Sequence, residues 1–323
     1  MTGRRALVTC FAALLATPRL QAQPQRPPRK LGYLHPRTIA PNHPTLLILR
    51  AQWQKLGYVE GETVLLRSAG DDIGRVPALL DEMAGQGAGA VIVVGAAAIR
   101  AASQATRSLP IVAIDLETDP VRAGYAASFA RPGGNITGLF LDQPSLAGKW
   151  IDLLLEAAPQ IERLAIVWDS GTGVDQLEIA KSVGRAKGFE AVVLELGTIR
   201  DFDQAFRSLA GRPRTGIVQL SSPGFVVVAE PFAAAARKHK LPAISFLKVY
   251  AQAGMLMTYG PNQADYFARS VVLADKILKG AKPGDMPIEG PDRFELVINL
   301  ATAKALGLSI PQSLLLRADE VIQ

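Results

Sequence analysis

The sequence predicts an α/β protein built from two similar lobes with parallel sheets, hinged around a central cleft. Three observations carry that prediction. Short, nearly continuous apolar runs alternate with amphipathic ones, and their order and spacing repeat along the chain. The 323 residues also exceed what one hydrophobic core normally supports. With 49% hydrophobic and 20% charged residues, the composition is that of a globular protein and excludes a disordered one.

The first element lies before the fold. Arg4 and Arg5 precede an apolar run from Ala6 to Ala16, followed by 17-TPRLQAQ-23. A charged start, a short apolar middle and a cleavage region define a secretory signal peptide over residues 1–23, with Ala22 just before the cut, and this predicts a periplasmic protein. The single cysteine, Cys10, sits inside that apolar run, so the body needs no disulfide framework in an oxidising compartment. Six of the 35 basic residues lie before Leu31 with no acid among them, which leaves 29 against the 29 acids. A body without surplus positive charge lacks the means to replace counterions on phosphates, which argues against a nucleic-acid partner.

The strand runs come next: 31-LGYLH-35, 63-TVLLR-67, 90-AVIVV-94 and 111-IVAID-115, then 163-RLAIVW-168, 191-AVVLEL-196, 216-GIVQL-220 and 243-AISF-246. Being apolar throughout rather than alternating, they read as parallel strands covered on both faces. Amphipathic runs separate them, such as 45-TLLILRAQWQKLG-57, 76-VPALLDEMAG-85, 174-VDQLEIAKSVGRAKG-188 and 225-FVVVAEPFAAAARKH-239. Gly57 and Gly188 each end a helix before a strand, where glycine supplies a left-handed cap. Downstream, 109-LPIVAI-114 resembles 241-LPAISF-246; the spacing from Gly57 to Pro110 is 53 residues and from Gly188 to Pro242 is 54.

These echoes divide the chain into a first lobe of 31–137 completed by about 260–282, and a second of 138–259. No lobe is assigned to 283–323. Gly133, Gly134 and Asn135, within 129-FARPGGNITGLF-140, read as one joint, with Gly134 expected to need a glycine-only conformation. Gly260 and Pro261, before the helical run 263-QADYFARSVVLADKILKG-280, read as another. In open α/β sheets ligands lie beyond the carboxyl ends of the strands, and both sets face this cleft.

A catalytic reading finds no residues to support it. His35, His43 and His239 show no metal spacing, and His239 in 237-RKHK-240 suits a helix end. No GxSxG elbow or Walker loop occurs, so neither a catalytic set nor a cofactor or metal is expected. Gly171 and Gly173 in 168-WDSGTG-173 follow a strand, but Gln176 replaces the third glycine of a dinucleotide loop. A tight turn capped by Asp169, Ser170 or Thr172 is the simpler account.

The richest polar stretch is 115-DLETDP-120, where Asp115, Glu117 and Asp119 project from one side of an extended chain at a strand's carboxyl end. For Asp119, capping of the following segment at Pro120 stands beside ligand binding. The expected pocket draws on His35, Ala96, Ala97, Glu117 and Asp119 from the first lobe. From the second it takes Trp168, Asp169, Ser221 and Phe246, with Tyr259 near a crossing. Trp168 suits either a stacking surface or the core.

The run 119-DPVRAGYAASFARPGGNITG-138, with 145-SLAGKWIDLLLEAAP-159 and 291-PDRFELVINLATAKALGLSIPQSLLLRADEVI-322, resembles the ABC-transporter substrate-binding protein family labelled tryptophan/tyrosine-transport-like. The likeness runs from about Leu31 to the C-terminus. It implies a type I periplasmic-binding-protein fold, with two Rossmann-like lobes, three crossings and one solute between them. It also implies a permease and an ATPase as partners, no catalysis and a monomer. Two departures touch the ligand side: Gly95-Ala96-Ala97-Ala98 lacks the hydroxyl of many relatives, and 115-DLETDP-120 is longer and more acidic than their Gly-Asp-Pro. The rival readings are the ligand-binding part of a sensor and a two-domain α/β enzyme such as a nucleotide-sugar transferase.

Overall fold

The computed structural model describes residues 30–141, 143–172, 174–195, 202–210, 214–222 and 228–323. The leader, its cleavage region and Gly173 lie outside them. Among the described residues, no helix is long and apolar enough to cross a membrane.

The first sheet is wholly parallel. It contains β1 (Lys30–His35), β2 (Val64–Ser68), β3 (Ala88–Val94), β4 (Ile111–Asp115) and β5 (Ile136–Phe140), in the order β2-β1-β3-β4-β5. Between the strands run α1 (Pro44–Lys55), α2 (Val76–Gly85) and α3 (Ala96–Ala105). Every residue of β4 and β5 is buried, because helices cover both faces. On one face α1 lays Leu46, Leu49 and Trp53 against the sheet, a stripe at helical spacing. Full burial of each such side chain contributes about 1.5–3 kcal/mol. On the other face, Leu80 and Met83 of α2 pack with Ile99 and Ala102 of α3.

The second lobe repeats this order. It begins with α4 (Gln143–Ala157), then β6 (Arg163–Trp168), α5 (Asp175–Ala186), β7 (Ala191–Glu195), α6 (Phe202–Ala210), β8 (Thr215–Gln219), α7 (Ala229–Lys238), β9 (Ala243–Ser245), α8 (Lys248–Gln252) and β10 (Met257–Pro261). Its parallel part reads β7-β6-β8-β9-β10, the first sheet's order again. The repeated caps are real: Gly57 follows α1 at φ 81° and Gly188 follows α5 at φ 86°.

The chain crosses between the lobes three times. The first crossing lies between β5 and α4. The second leads from β10 into α9 (Gln263–Leu278), which packs on α1 and the first sheet. The third returns from residues 283–289, held against the first lobe by Gly133 N–H to Gly284 O (3.0 Å) and Phe140 N–H to Glu289 O (3.0 Å). Beyond it β11 (Phe294–Asn299), α10 (Leu300–Ala305), α11 (Gln312–Leu315) and β12 (Glu320–Ile322) extend the second sheet. Because β10 leaves the lobe where β11 enters it, those two strands pair antiparallel, and Asn262 N–H donates to Arg293 O at 3.0 Å to bind the crossings together.

This path moves the expected joints. Gly138–Phe140 belong to β5 of the first sheet, so the boundary at residue 137 falls inside a strand. Gly133, Gly134 and Asn135 form the fixed turn before that strand rather than a crossing. Asn135 Nδ2 donates to Leu109 O (2.8 Å) and Thr106 O (3.3 Å), and Asn135 O accepts the Ile111 N–H (2.8 Å). The glycine-only conformation there belongs to Gly133 (φ 77°), not to Gly134. Gly260 and Pro261 lie at the end of β10, one residue before the second crossing.

Gly260 is required for a different reason. A Cβ at this position would sit 2.0 Å from Phe246 O, and one at Gly138 would sit 2.1 Å from Ala113 O. Each lobe thus places its fifth strand so close to its fourth that only glycine fits. Gly260→Ala is expected to cost about 1–3 kcal/mol of stability and to weaken solute binding, since the backbone that must yield carries Phe246. Thermal unfolding checks this; an unchanged melting temperature would show that the strands have slack.

Candidate functional site

The carboxyl ends of the two parallel sheets meet around a cavity of about 280 Å³. The first lobe contributes His35 at the end of β1, Gly95 after β3, and Leu116 and Glu117 after β4. Ser221 and Ser222 after β8, Phe246 and Leu247 after β9, and Pro261 at the end of β10 form the opposite wall. Tyr266 and Phe267 of α9 close the hinge side, and the segment from Arg37 to Thr45 forms a rim. The walls are therefore mostly apolar and aromatic, with a few polar groups, the usual makeup of a small-molecule site.

Glu117 is the chemical centre. It is 2% exposed, and its Oε1 accepts a hydrogen bond from Ser221 Oγ at 2.7 Å, a direct contact from one lobe to the other. Among the described residues, no N–H or O–H donor outside the carboxyl groups themselves reaches Glu117 Oε2 or Asp115 Oδ2. Asp115 lies fully buried behind it, its Oδ1 accepting the N–H groups of Glu117 and Thr118, each at 3.0 Å. Burial, then the charge of Asp115, pushes Glu117 up to about 8, and burial raises Asp115 as well.

Ser221 is held for its role by a buried amide. Gln176 of α5 donates from Nε2 to Ser221 O (2.8 Å) and to Thr172 Oγ1 (2.7 Å), while its Oε1 accepts the Ser221 N–H (3.2 Å). Below Phe246, Gln219 links Ser245 Oγ to the Tyr250 hydroxyl, both at 2.6 Å. His35 is 8% exposed, with Nδ1 fixed 3.1 Å from Arg37 N and 2.9 Å from Arg37 O, and burial lowers it to about 4. It is neutral at physiological pH and offers an aromatic face rather than a charge.

Of the residues expected in the pocket, His35, Glu117, Ser221 and Phe246 line it, and Pro261 joins them. The others sit nearby in different roles. Ala96 and Ala97 begin α3, and Gly95 before them is the residue that reaches the cavity. Asp119 turns its Oδ1 to the N–H groups of Val121 (2.8 Å) and Arg122 (3.1 Å), capping a turn. Trp168 packs against the second core, and Tyr259 stacks on Phe294 at 5.4 Å. Asp169 accepts from Gly171 N–H (2.9 Å) and from the Ser222 hydroxyl, which is the tight-turn arrangement rather than a phosphate loop. Sequence reasoning missed Ser222, Leu247, Tyr266, Phe267 and the Arg37–Thr45 rim; for Tyr266 and Phe267 the signal was their position just after the second crossing.

Two lobes of one strand order, joined by three crossings around a mainly apolar cavity, define a bilobed binding protein of type I periplasmic architecture. The sequence profile described as ABC transporter substrate binding protein matches residues 49–322, and the chain belongs to that family. A tyrosine-binding protein of Clostridioides difficile is 24% identical over 257 residues, 78% of this chain and 73% of that one. Among solved structures, a conserved domain protein from Vibrio cholerae matches with a TM-score of 0.79 and 22% identity, over 91% of this chain and 100% of that one. An ABC domain in complex with L-Trp from Streptococcus pneumonia matches with a TM-score of 0.79 and 21% identity, over 91% and 99%.

The site makes stability depend on pH in a definite direction. Folded Glu117 keeps its proton up to about 8, whereas its ordinary value is 4.5, so between those values the folded state binds more protons than the unfolded chain. Stability contributed at this residue therefore falls as pH rises through that window. Glu117→Gln removes the penalty, and its melting temperature should gain on the wild type between pH 5 and 8.5. Calorimetry at the two pH values checks this; a difference independent of pH would contradict it.

Proposed function

We propose that the protein is an exported, monomeric, non-catalytic receptor that closes on one amino acid with an aromatic or large apolar side chain and delivers it to an ABC permease and its ATPase. The observation that carries this reading is the buried carboxyl of Glu117, set in a mostly apolar and aromatic cavity between the lobes. An ammonium beside this carboxyl would favour its ionised form, and the resulting charge-assisted hydrogen bonds exceed neutral ones in strength. Phe246, Tyr266, Phe267 and the neutral His35 offer faces for a ring. The tyrosine-binding relative and the L-Trp complex support an aromatic solute.

The segment from Arg37 to Thr45 is the natural place for the solute's carboxylate, with Thr38 and Thr45 hydroxyls and the Arg37 guanidinium on the rim. Arg37 already pairs with Asp71 at 2.9 Å, and both are well exposed, so that pair competes only weakly. Ligand binding would then draw on both lobes, and the Ser221–Glu117 hydrogen bond would mark the closed arrangement. The leader, Arg4-Arg5 with its apolar run, supports export to the periplasm.

Two measurements check the reading. Purified mature protein should gain thermal stability with L-tyrosine or L-tryptophan. The matching acid without its amino group should bind about ten- to a hundredfold more weakly, the loss of one charge-assisted hydrogen bond of about 1.5–3 kcal/mol. Equal binding of the two would remove the ammonium from the argument. Protein from the native host should begin close to Gln23 and appear in the periplasmic fraction; an intact Met1 on cytoplasmic protein would refute export.

A further inference from the structure

The two oxygens that lack an outside donor, Asp115 Oδ2 and Glu117 Oε2, belong to buried carboxyl groups two residues apart, with the Glu117 N–H on Asp115 Oδ1 at 3.0 Å. Two buried carboxyl groups so close in the chain, with no cation paired to either among the described residues, cannot both ionise in a low-dielectric site, and a proton held between them serves both free oxygens. We propose that Asp115, which does not reach the cavity, is half of the recognition group: it shares one proton with Glu117, so that the pair carries a single negative charge and selects a solute with a single positive head group. This rests on the reading of the cavity as an amino-acid site.

The surroundings favour one charge and not two. Asp115 Oδ1 has two backbone N–H donors, and the Thr118 hydroxyl also favours the ionised form of this carboxyl, which suits it to hold the anion. Among the described residues, the Glu117 carboxyl has fewer donors, the Ser221 hydroxyl on Oε1 and the Leu116 backbone N–H, which suits it to hold the proton. Among the described residues, no cation forms an ion pair with either carboxyl. The Tyr125 phenol, raised by burial and by the Asp115 charge, has Arg100 of α3 as its partner. The Tyr266 phenol of α9 is buried near both carboxyl groups and is raised by burial and by their charges. Asp119 faces backbone, Ser222 faces Asp169, His35 is neutral, and Arg37 and His43 stand at the rim.

Binding then balances simply. At neutral pH the singly charged pair and one ammonium make a neutral complex, with no bond broken and the shared proton kept. An ammonium beside the pair also favours its second ionisation, so the complex loses that proton at a lower pH than the free protein, whose upper step lies near 8. Affinity therefore rises with pH below that step, by at most about tenfold per pH unit, the limit for one proton.

Isosteric variants test the pair. Asp115→Asn keeps the backbone bonds and leaves Glu117 to carry the charge; Glu117→Gln leaves it on Asp115. Calorimetry with L-tyrosine and L-tryptophan from pH 6 to 8.5 should find binding in both single variants, with the rise in affinity with pH flattened. The double variant should lose about a hundredfold or more, the cost of losing a charged partner altogether. If Glu117→Gln alone binds as weakly as the double variant, the charge sits on Glu117 and the shared pair is refuted, while the amino-acid reading stands. If Asp115→Asn keeps the wild-type pH profile, the pair is likewise refuted. If neither amino acid binds the wild type, the solute reading fails, and carboxyl carbon-13 NMR of the free protein decides the pair by itself. Two coupled steps, the upper one falling in Asp115→Asn, support it; an unchanged Glu117 titration in that variant overturns it.

Discussion

A parallel strand covered on both faces can offer polar groups to a ligand only at its ends, and here the carboxyl ends of two such sheets point into one gap. The strand order β2-β1-β3-β4-β5 and its repeat β7-β6-β8-β9-β10 set this geometry. With their faces buried, the central strands contribute stability along their length and chemistry at one terminus. His35, Glu117, Ser221 and Phe246 all occupy such termini. Nothing in the cavity wall would stand where it does if either sheet lost its parallel order.

The crossings convert two stable lobes into one working cleft. Residues 283–289 tie the third crossing to the first lobe, Asn262 ties the second to the third, and Gly260 allows β10 to lie against the Phe246 carbonyl. A chain that crosses three times restricts the lobes to motions that bend these segments together. Exposed contacts such as Arg122–Asp175, at 3.6 Å across the cleft rim, add little to this. The buried Ser221–Glu117 bond at 2.7 Å matters more, because its carboxyl would otherwise lose its only hydroxyl donor.

Support behind the cavity is as ordered as its lining. Gln176 grips both backbone groups of Ser221, and Gln219 with Ser245 and Tyr250 fixes the strand end that carries Phe246. Each is a buried polar group with its hydrogen bonds met, which raises the cost of any rearrangement. The exceptions include the Tyr266 phenol and the free oxygens of the Asp115–Glu117 pair, which a shared proton would reconcile. The site thus places its unsettled carboxyl charge where a solute arrives.

Much of this was legible in the residues. Apolar runs such as 111-IVAID-115 and 163-RLAIVW-168 determined the strands, because burial on both faces demands continuous hydrophobicity. Gly57 and Gly188 marked the helix ends, because no other residue adopts their backbone as readily. The resemblance carried by 119–138, 145–159 and 291–322 pointed to the family that the whole-chain match then showed. What the sequence could not decide was where side chains turn. Asp119 and Glu117 share a face of an extended chain, yet one caps a turn and the other enters the cavity, since only the folded backbone shows which N–H groups lie free nearby. Gly133 to Asn135 looked like a joint because turns inside a lobe and crossings between lobes use the same residues; only pairing with β4 placed β5 in the first sheet. Tyr266 and Phe267 reached the site by the return of α9 across the molecule, a long-range contact that local pattern does not record.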